Sequence, residues 1–410
     1  MLYRILSILF LLAFVSFLQD RTLADWPQWR GENRDGVVKY FVLPATPPNE
    51  LTKAWSIEVG EGHSSPVKAN GRIYLHTGDG KRETVRCINA ENGEVVWEYA
   101  YDVNTEKVAD VVGRYGYSPR STPSVAGNFL IAMGASGMVL CLNRETGQVQ
   151  WQRDFKDEFE IPFPEFGASA SPLVIDSQVI LHVGGAKGGK LVSVKLGTGE
   201  TQWSLADDGP SYSSPIVVSY DKNQRMIVTQ TQKTFTGVTL QGERLWEIPF
   251  KTPYMQNIIT TTEVSDMLIT GGTSRPIEAY RMSGSNTPKR LWENPSHSLY
   301  MNSPVVIGEM VLGVSEKEKG HLFAVDSGTG KTLWKKFQRL GENSELLVCG
   351  KHLALMNDSG KLSFLTVSKE GAEVLKEYTL SQEPVTTHPI LDGNGIYVKD
   401  RTHLSALQMR

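Results

Sequence analysis

The sequence predicts an all-β fold, an eight-bladed β-propeller of four-stranded antiparallel blades, on three observations. A unit ending in Trp recurs every 42–54 residues, a Ser/Thr–Pro marker recurs between the tryptophans, and no sustained 3.6-residue apolar period follows the N-terminal segment. Four short strands per unit suit a propeller blade, because a single sheet leaves faces bare that radial neighbours cover.

The chain begins with Arg4 and an apolar run from Ile5 to Leu18, broken by Ser7 and Ser16, then a polar stretch and Ala24. This is the layout of a signal peptide over residues 1–24, cut after Ala24. The run is about 14 residues and a membrane span needs about 20, so a retained anchor is the alternative. A periplasmic or secreted chain with no span after cleavage is expected. No cysteine adjoins the cut. Residues 25–50 follow as an extension expected to pack on the propeller, opening with DWPQWRGENRDGV. Its Trp26 and Trp29 are expected to be largely buried against blade residues, with Arg30 and Asp35 fixing the turn.

The strand around Trp55 (LTKAWSIEV) has no partner strands before it. INAENGEVVW ending at Trp97, LNRETGQVQW at Trp151, VKLGTGETQW at Trp203 and VDSGTGKTLW at Trp334 share an apolar strand, a polar turn around Gly, and a short strand ending in Trp. The unit ending at Trp246 is shortened, the one ending at Trp292 is lengthened, and Tyr378 takes the Trp place in the last. All eight side chains are expected to dock one blade on the next. SSPV, STPSV, SASPLVI, SSPIVV, NSPVVI and THPIL open the units, and residues 384–410 supply three strands without a Trp strand. Joined to the Trp55 strand they close the ring, over 51–410, from both chain ends.

The formal net charge of −3 gives nucleic-acid binding no electrostatic support. The three cysteines, Cys87, Cys141 and Cys349, form no CxxC, and the first two occupy matching strand positions. They read as core thiols, with a lone disulfide as the alternative.

The Gly–Trp units resemble the pyrroloquinoline-quinone (PQQ) propeller repeat, in which Trp packs between blades. DWPQWRGENRDGV is similar to the opening of secreted PQQ-like propellers and, more loosely, of quinoprotein alcohol dehydrogenases. The resemblance spans 25–410 and implies fold rather than activity. It also implies where a quinone site would lie: an acidic residue ahead of the first Pro marker, an adjacent cysteine pair, and Ca²⁺ on carboxylate and amide oxygens. Here the acidic place falls on His63, and no two cysteines adjoin. No cofactor or metal is therefore expected, PQQ with Ca²⁺ being the alternative. A non-catalytic binding or scaffold module of the cell envelope, monomeric and with a protein or glycan partner, is the functional expectation. It resembles at fold level the propeller that assists outer-membrane barrel assembly. A divergent PQQ-dependent oxidoreductase is the rival.

Residues three before each Pro should line the channel mouth: His63, Arg120, Ser169, Tyr212, Met301 and Thr386. Arg120 and His63 are anion-binding candidates, the alternative being that they satisfy neighbouring strand ends. Two insertions, 101–120 and 156–169, carry Tyr115, Tyr117, Phe159, Phe163 and Phe166, and are expected side by side on one rim as a partner face, with Phe163 and Phe166 lidding the channel as the alternative.

Overall fold

The computed structural model describes residues 25–103, 118–155, 166–184, 188–206, 209–221, 224–341 and 343–410. Eight antiparallel meanders stand in a ring. Blade 1 runs Val67–Ala69, Arg72–Gly78, Arg82–Asn89 and Val95–Asp102 from axis to rim. The innermost strands of blades 2 to 8 are Ser124–Ala126, Leu173–Ile175, Ile216–Asp221, Thr262–Val264, Val305–Ile307, Ser344–Cys349 and Ile390–Asp392. Blade 8 takes its outer strand, Thr52–Glu58, from the other end of the chain, antiparallel to His403–Gln408. The eight-bladed, terminally closed ring read from the repeat is thus the fold. Among the described residues, no helix is long and apolar enough to cross a membrane.

The repeat has a mechanical reason. The indole N–H of Trp55 donates to the Ala90 carbonyl in the next blade, Trp97 to Arg144, Trp151 to Leu196, Trp203 to Leu240, Trp292 to Ser327 and Trp334 to Ser368, at 2.8–3.1 Å. Each acceptor belongs to the polar turn or its edge. In five of these turns the glycine lies against the preceding tryptophan, and Gly199 shows why: its φ is +72° and a side-chain carbon there would stand 2.7 Å from the Trp151 ring. The lengthened unit of blade 5 breaks the pattern. Its Gly284 has open space around it, and the buried Trp246 Nε1 has no hydrogen-bond partner. Tyr378 donates its hydroxyl to the Pro48 carbonyl at 2.8 Å, against the segment that leads into blade 8.

The Pro marker forms a belt around the axis. The Ser65 N–H donates to Thr122 Oγ1, Thr122 N–H to Ser171 Oγ, Ser171 N–H to Ser214 Oγ, Thr260 N–H to Ser303 Oγ and His388 N–H to Ser65 Oγ, at 2.9–3.1 Å. A small hydroxyl residue is needed here to reach the neighbouring blade's backbone, and the Pro that follows has no N–H to satisfy. All three cysteines are buried and free.

The extension is an end-plug. Its backbone pairs with Lys68 of blade 1 through Trp26, with Val125 of blade 2 through the Pro27 carbonyl, and with Val348 of blade 7 through Gly36. Val37–Val38 adds a parallel strand to blade 7, and Phe41 bridges to Gly393 of blade 8. Blades 3 to 6 are reached by side chains. Arg34 donates to the carbonyls of Ser171, Pro172 and Pro215, Arg30 to that of Pro304, and Trp29 Nε1 to Thr260 Oγ1. Trp26 is buried as expected, whereas Trp29 is half-buried, with its ring edge-on to His388 at 4.5 Å. Arg30 and Asp35 do fix the turn. Asp35 Oδ1 accepts the Val37 N–H at 2.9 Å, the Arg30 guanidinium donates to the carbonyls of Arg34 and Asp35, and the Arg30 carbonyl accepts the Gly36 N–H at 3.0 Å. Arg30, like Arg34, is also buried and reaches a blade carbonyl.

Candidate functional site

The channel has two dissimilar ends. At the end opposite the plug, the loops joining the outer strand of one blade to the inner strand of the next carry the mouth residues. His63 Nδ1 lies 2.7 Å from Thr386 Oγ1, and its N–H donates to the Pro119 carbonyl. Tyr212 packs edge-on to Phe166, centroids 5.7 Å apart, and its hydroxyl accepts the Phe166 N–H at 3.4 Å. Ser169 Oγ turns back on the Gly167 carbonyl, and Met301 is half-buried. Among the described residues these side chains therefore meet in pairs and form no single constellation. Tyr115, Tyr117, Phe159 and Phe163 lie outside the described residues.

Arg120 leads to a group that the sequence did not single out. Its charge reaches Glu83, which is wholly buried between blades 1 and 2. Tyr101 donates its hydroxyl to Glu83 Oε2, the Ala135 N–H donates to Oε1 at 2.9 Å, and His76 Nε2 lies 3.2 Å from the Tyr101 oxygen. Burial pushes the Glu83 carboxyl up to about 7, against the pull of Tyr101, Ala135 and Arg120. Burial pushes the His76 imidazole down to about 3. Gly134 makes room: a side-chain carbon there would collide with both Glu83 and Tyr101. The alternation in GRIYLHTGDGKRETVRCIN puts His76 on the face of Tyr74 and Glu83 on the face of Val85 and Cys87, the face turned to blade 2, which was the available signal.

A second buried pair interrupts the belt. Blade 7 has no Pro marker, and its strand register places Glu345 where blade 6 has Ser303. Blade 8 has His388 at that position. The Glu345 carboxylate and His388 Nε2 stand 2.5 Å apart, both buried, beneath the Trp29 indole.

The resemblance to quinoproteins can be tested against these groups. A calcium–quinone site needs free carboxylate and amide oxygens on the axis. The Glu345 carboxylate is crowded by His388 Nε2 at 2.5 Å. Asn302 is spent on both backbone groups of Val314, and the Asn257 amide nitrogen on the carbonyls of Thr231, Gln232 and Phe250. Among the described residues no three His, Cys, Asp or Glu side chains could share a metal ion. The described residues do not fit that group.

A third feature of the mouth face is a loop between blades 4 and 5. Tyr254 and Met255 both hold left-handed backbone (φ 60° and 56°), and Tyr254 is 85% exposed. The loop is braced underneath by the buried Asn257, whose Oδ1 accepts the Thr252 hydroxyl and whose carbonyl accepts the Tyr212 N–H at 3.0 Å. The Tyr254 tip and the Tyr212–Phe166 pair thus share one anchor.

The family model described as "Outer membrane protein assembly factor BamB" (PQQ_2) matches residues 52–219, 119–336 and 237–399 in overlapping passes. The chain belongs to the PQQ_2 family. Within PQQ_2, the outer membrane protein assembly factor BamB of Yersinia pestis is 21% identical over 360 residues, 85% of this chain and 76% of that one. Among solved structures, BamB from Moraxella catarrhalis superposes with a TM-score of 0.62 at 15% identity, covering 88% of this chain and 98% of the other. A europium-containing methanol dehydrogenase superposes with a TM-score of 0.69 at 12% identity, covering 94% and 98%. An assembly factor and a dehydrogenase thus share this fold, so the ring alone does not assign an activity.

Proposed function

We propose that this PQQ_2 chain is an exported, non-catalytic propeller that acts as a binding or scaffold module of the cell envelope, docking a protein partner on the mouth face. The observation that carries the reading is the Tyr254 tip. A tyrosine and a methionine held in left-handed backbone, at a strain of about 1–3 kcal/mol each, and aimed at solvent from a rigid base suit an interface anchor. Phe166 and Tyr212 extend the same apolar surface. The relationship to outer membrane protein assembly factors supports a protein rather than a small-molecule partner. The chain is proposed to work as a monomer.

The test is capture from envelope extract by the wild-type protein and by Tyr254→Ala/Met255→Ala. A specific partner retained by the wild type and lost at least tenfold by the double variant, with unchanged thermal unfolding, is expected. Equal capture by both would remove the mouth face from consideration. In parallel, incubation with PQQ and Ca²⁺ is expected to give neither tight quinone absorbance nor dye-linked alcohol oxidation. Either signal would favour the oxidoreductase reading that the methanol dehydrogenase likeness keeps in view.

A further inference from the structure

The mouth face carries a ridge of loops that continues from the Tyr254 tip across blades 5 and 6 to blade 7. The Tyr254 loop is tied to blade 5, where Thr252 lies against Gly272 and Arg275 stacks over the Phe250 ring, 3.9 Å from its centroid. Blade 5 is tied to blade 6 through Glu316, whose carboxylate accepts from the Thr273 and Ser298 hydroxyls and the Ser274 N–H. The turn that follows, Lys317–Lys319, is tied to the loop that enters blade 7. The Leu340 N–H donates to the Gly320 carbonyl at 3.2 Å, and the Gly341 N–H to that of Lys319 at 3.3 Å. Asp358 of blade 7 lies against Gly341 and ends the ridge.

Two observations set this ridge apart. The first is its backbone. Of the twelve described non-glycine residues in left-handed conformation, seven belong to it: Tyr254, Met255, Ser274, Glu318, Lys319, Phe337 and Arg339. Strain of this kind persists only where the surrounding structure holds it, and it gathers at binding sites. The second is its charge. Glu318 is neutralised by Lys335 at 2.7 Å and also accepts from Gln338. Lys251, Lys319 and Arg339 are exposed and meet no carboxylate among the described residues. Lys317 turns its ammonium onto the Pro295 carbonyl, which leaves its charge in place. Only Glu316, whose donors are neutral, stands against these four cations before Asp358 is reached. The whole chain carries −3, so the positive excess is local.

We propose that the ridge binds an acidic, extended segment of a partner protein, its carboxylates on Lys251, Lys317, Lys319 and Arg339 and one of its apolar side chains on Tyr254 and Met255. The inference rests on the docking reading above and adds the chemistry of the partner. Charge of one sign on a fixed base speeds and selects encounters with the opposite sign. The Tyr254 tip supplies the contact area that charge alone lacks. A ridge drawn across several blades suits a segment laid along it.

The experiment is a fluorescence-anisotropy titration of the protein against a dye-labelled, blocked Glu-Asp-Glu-Leu-Glu-Asp-Glu peptide. Saturable binding that weakens as salt rises is expected, with the peptide carrying Lys at every acidic place at least tenfold weaker. Lys251→Glu/Lys319→Glu/Arg339→Glu should weaken the acidic peptide at least tenfold. The neutral Lys251→Met/Lys319→Met/Arg339→Met should weaken it about threefold, with unchanged thermal unfolding. Lys53→Glu/Lys331→Glu/Lys351→Glu makes the same change in net charge in exposed residues at the plug end, and should bind as the wild type does. No saturable binding, or equal losses in the two charge-reversed variants, would overturn the proposal. So would cosedimentation with phosphatidylcholine vesicles containing a quarter phosphatidylglycerol, lost in the ridge variant, without peptide binding: the ridge would then belong to a lipid surface. The two readings fail separately. If Tyr254→Ala/Met255→Ala captures its partner as the wild type does, the docking reading falls and this inference with it. If that variant loses its partner while the ridge variant keeps the peptide, only the acidic segment falls.

Discussion

Glu83 is the residue on which burial and charge conflict most. Its folded carboxyl keeps a proton up to about pH 7, whereas an unfolded one releases it near its ordinary value of 4.5. The folded state therefore binds more protons between these values. The stabilising effect is complete below about pH 4.5 and is lost as pH rises through 7. Glu83→Gln keeps the neutral form at every pH. The stability of the wild type relative to this variant should fall by roughly 3 kcal/mol between pH 4.5 and 8, measured by urea unfolding. A constant difference across that range would mean that Glu83 ionises normally. At this scale the sequence was least informative. His63 and Arg120 stood out as isolated polar residues beside the markers, while His76, Glu83, Glu345 and His388 acquire their surroundings only when two blades or both chain ends meet. No local pattern records that the residues around Glu83, such as Ala135 and Tyr101, will come from opposite sides of a blade junction.

At the scale of elements, the sequence was most informative, and the reason is that the same constraint acts at each junction. A tryptophan needs an acceptor carbonyl and a flat neighbour, so the next unit supplies a turn with glycine in left-handed backbone. The turn of blade 5, rebuilt around Gly284, leaves Trp246 without its acceptor, whereas that of blade 7, whose Gly371 meets Lys336 rather than Trp334, still supplies the Ser368 carbonyl. Two glycines separate the contributions. Gly127 has φ +53° and nothing within 4 Å of an added side-chain carbon, so Gly127→Ala should cost about 1 kcal/mol from backbone strain alone. Gly199 has φ +72° and the Trp151 ring at 2.7 Å, so Gly199→Ala should cost about 3 kcal/mol or more, with displacement of the indole. Thermal unfolding with Trp fluorescence checks both, and equal losses would show that the indole gives way freely.

On the scale of the whole molecule, ring closure was legible because the first Trp strand lacked partners and the last segment lacked a Trp strand. The role of the plug was not. DWPQWRGENRDGV offered two indoles as the obvious packing groups, yet its two arginines reach the axis. Arg30 and Arg34 hold left-handed backbone, and Gly31 lies so close to the Trp26 ring that a side-chain carbon would stand 2.6 Å from it. Arg34 ties blades 3 and 4 to the plug through backbone carbonyls, so Arg34→Met should leave those acceptors unpaired and lower global stability by roughly 2–4 kcal/mol. Arg34→Lys should recover only part of this, since one ammonium cannot span three carbonyls on two blades and Gln28. A full rescue by lysine would reduce the guanidinium to a simple charge.

The plug also sets an order of events. A ribosome makes Trp26, Arg30 and Arg34 before any blade exists, and Gly393, the blade 8 contact of the plug, only after blades 1 to 7. The contacts of this segment span more than 350 residues, Phe41 to Gly393, a separation that slows folding, and a segment made before every blade is therefore among the last to find its place. The two arginines lack their carbonyl acceptors until Pro304 is made, and Phe41 lacks its bridge until Gly393 is made, so the seated plug amounts to a built-in proof that every blade has been delivered.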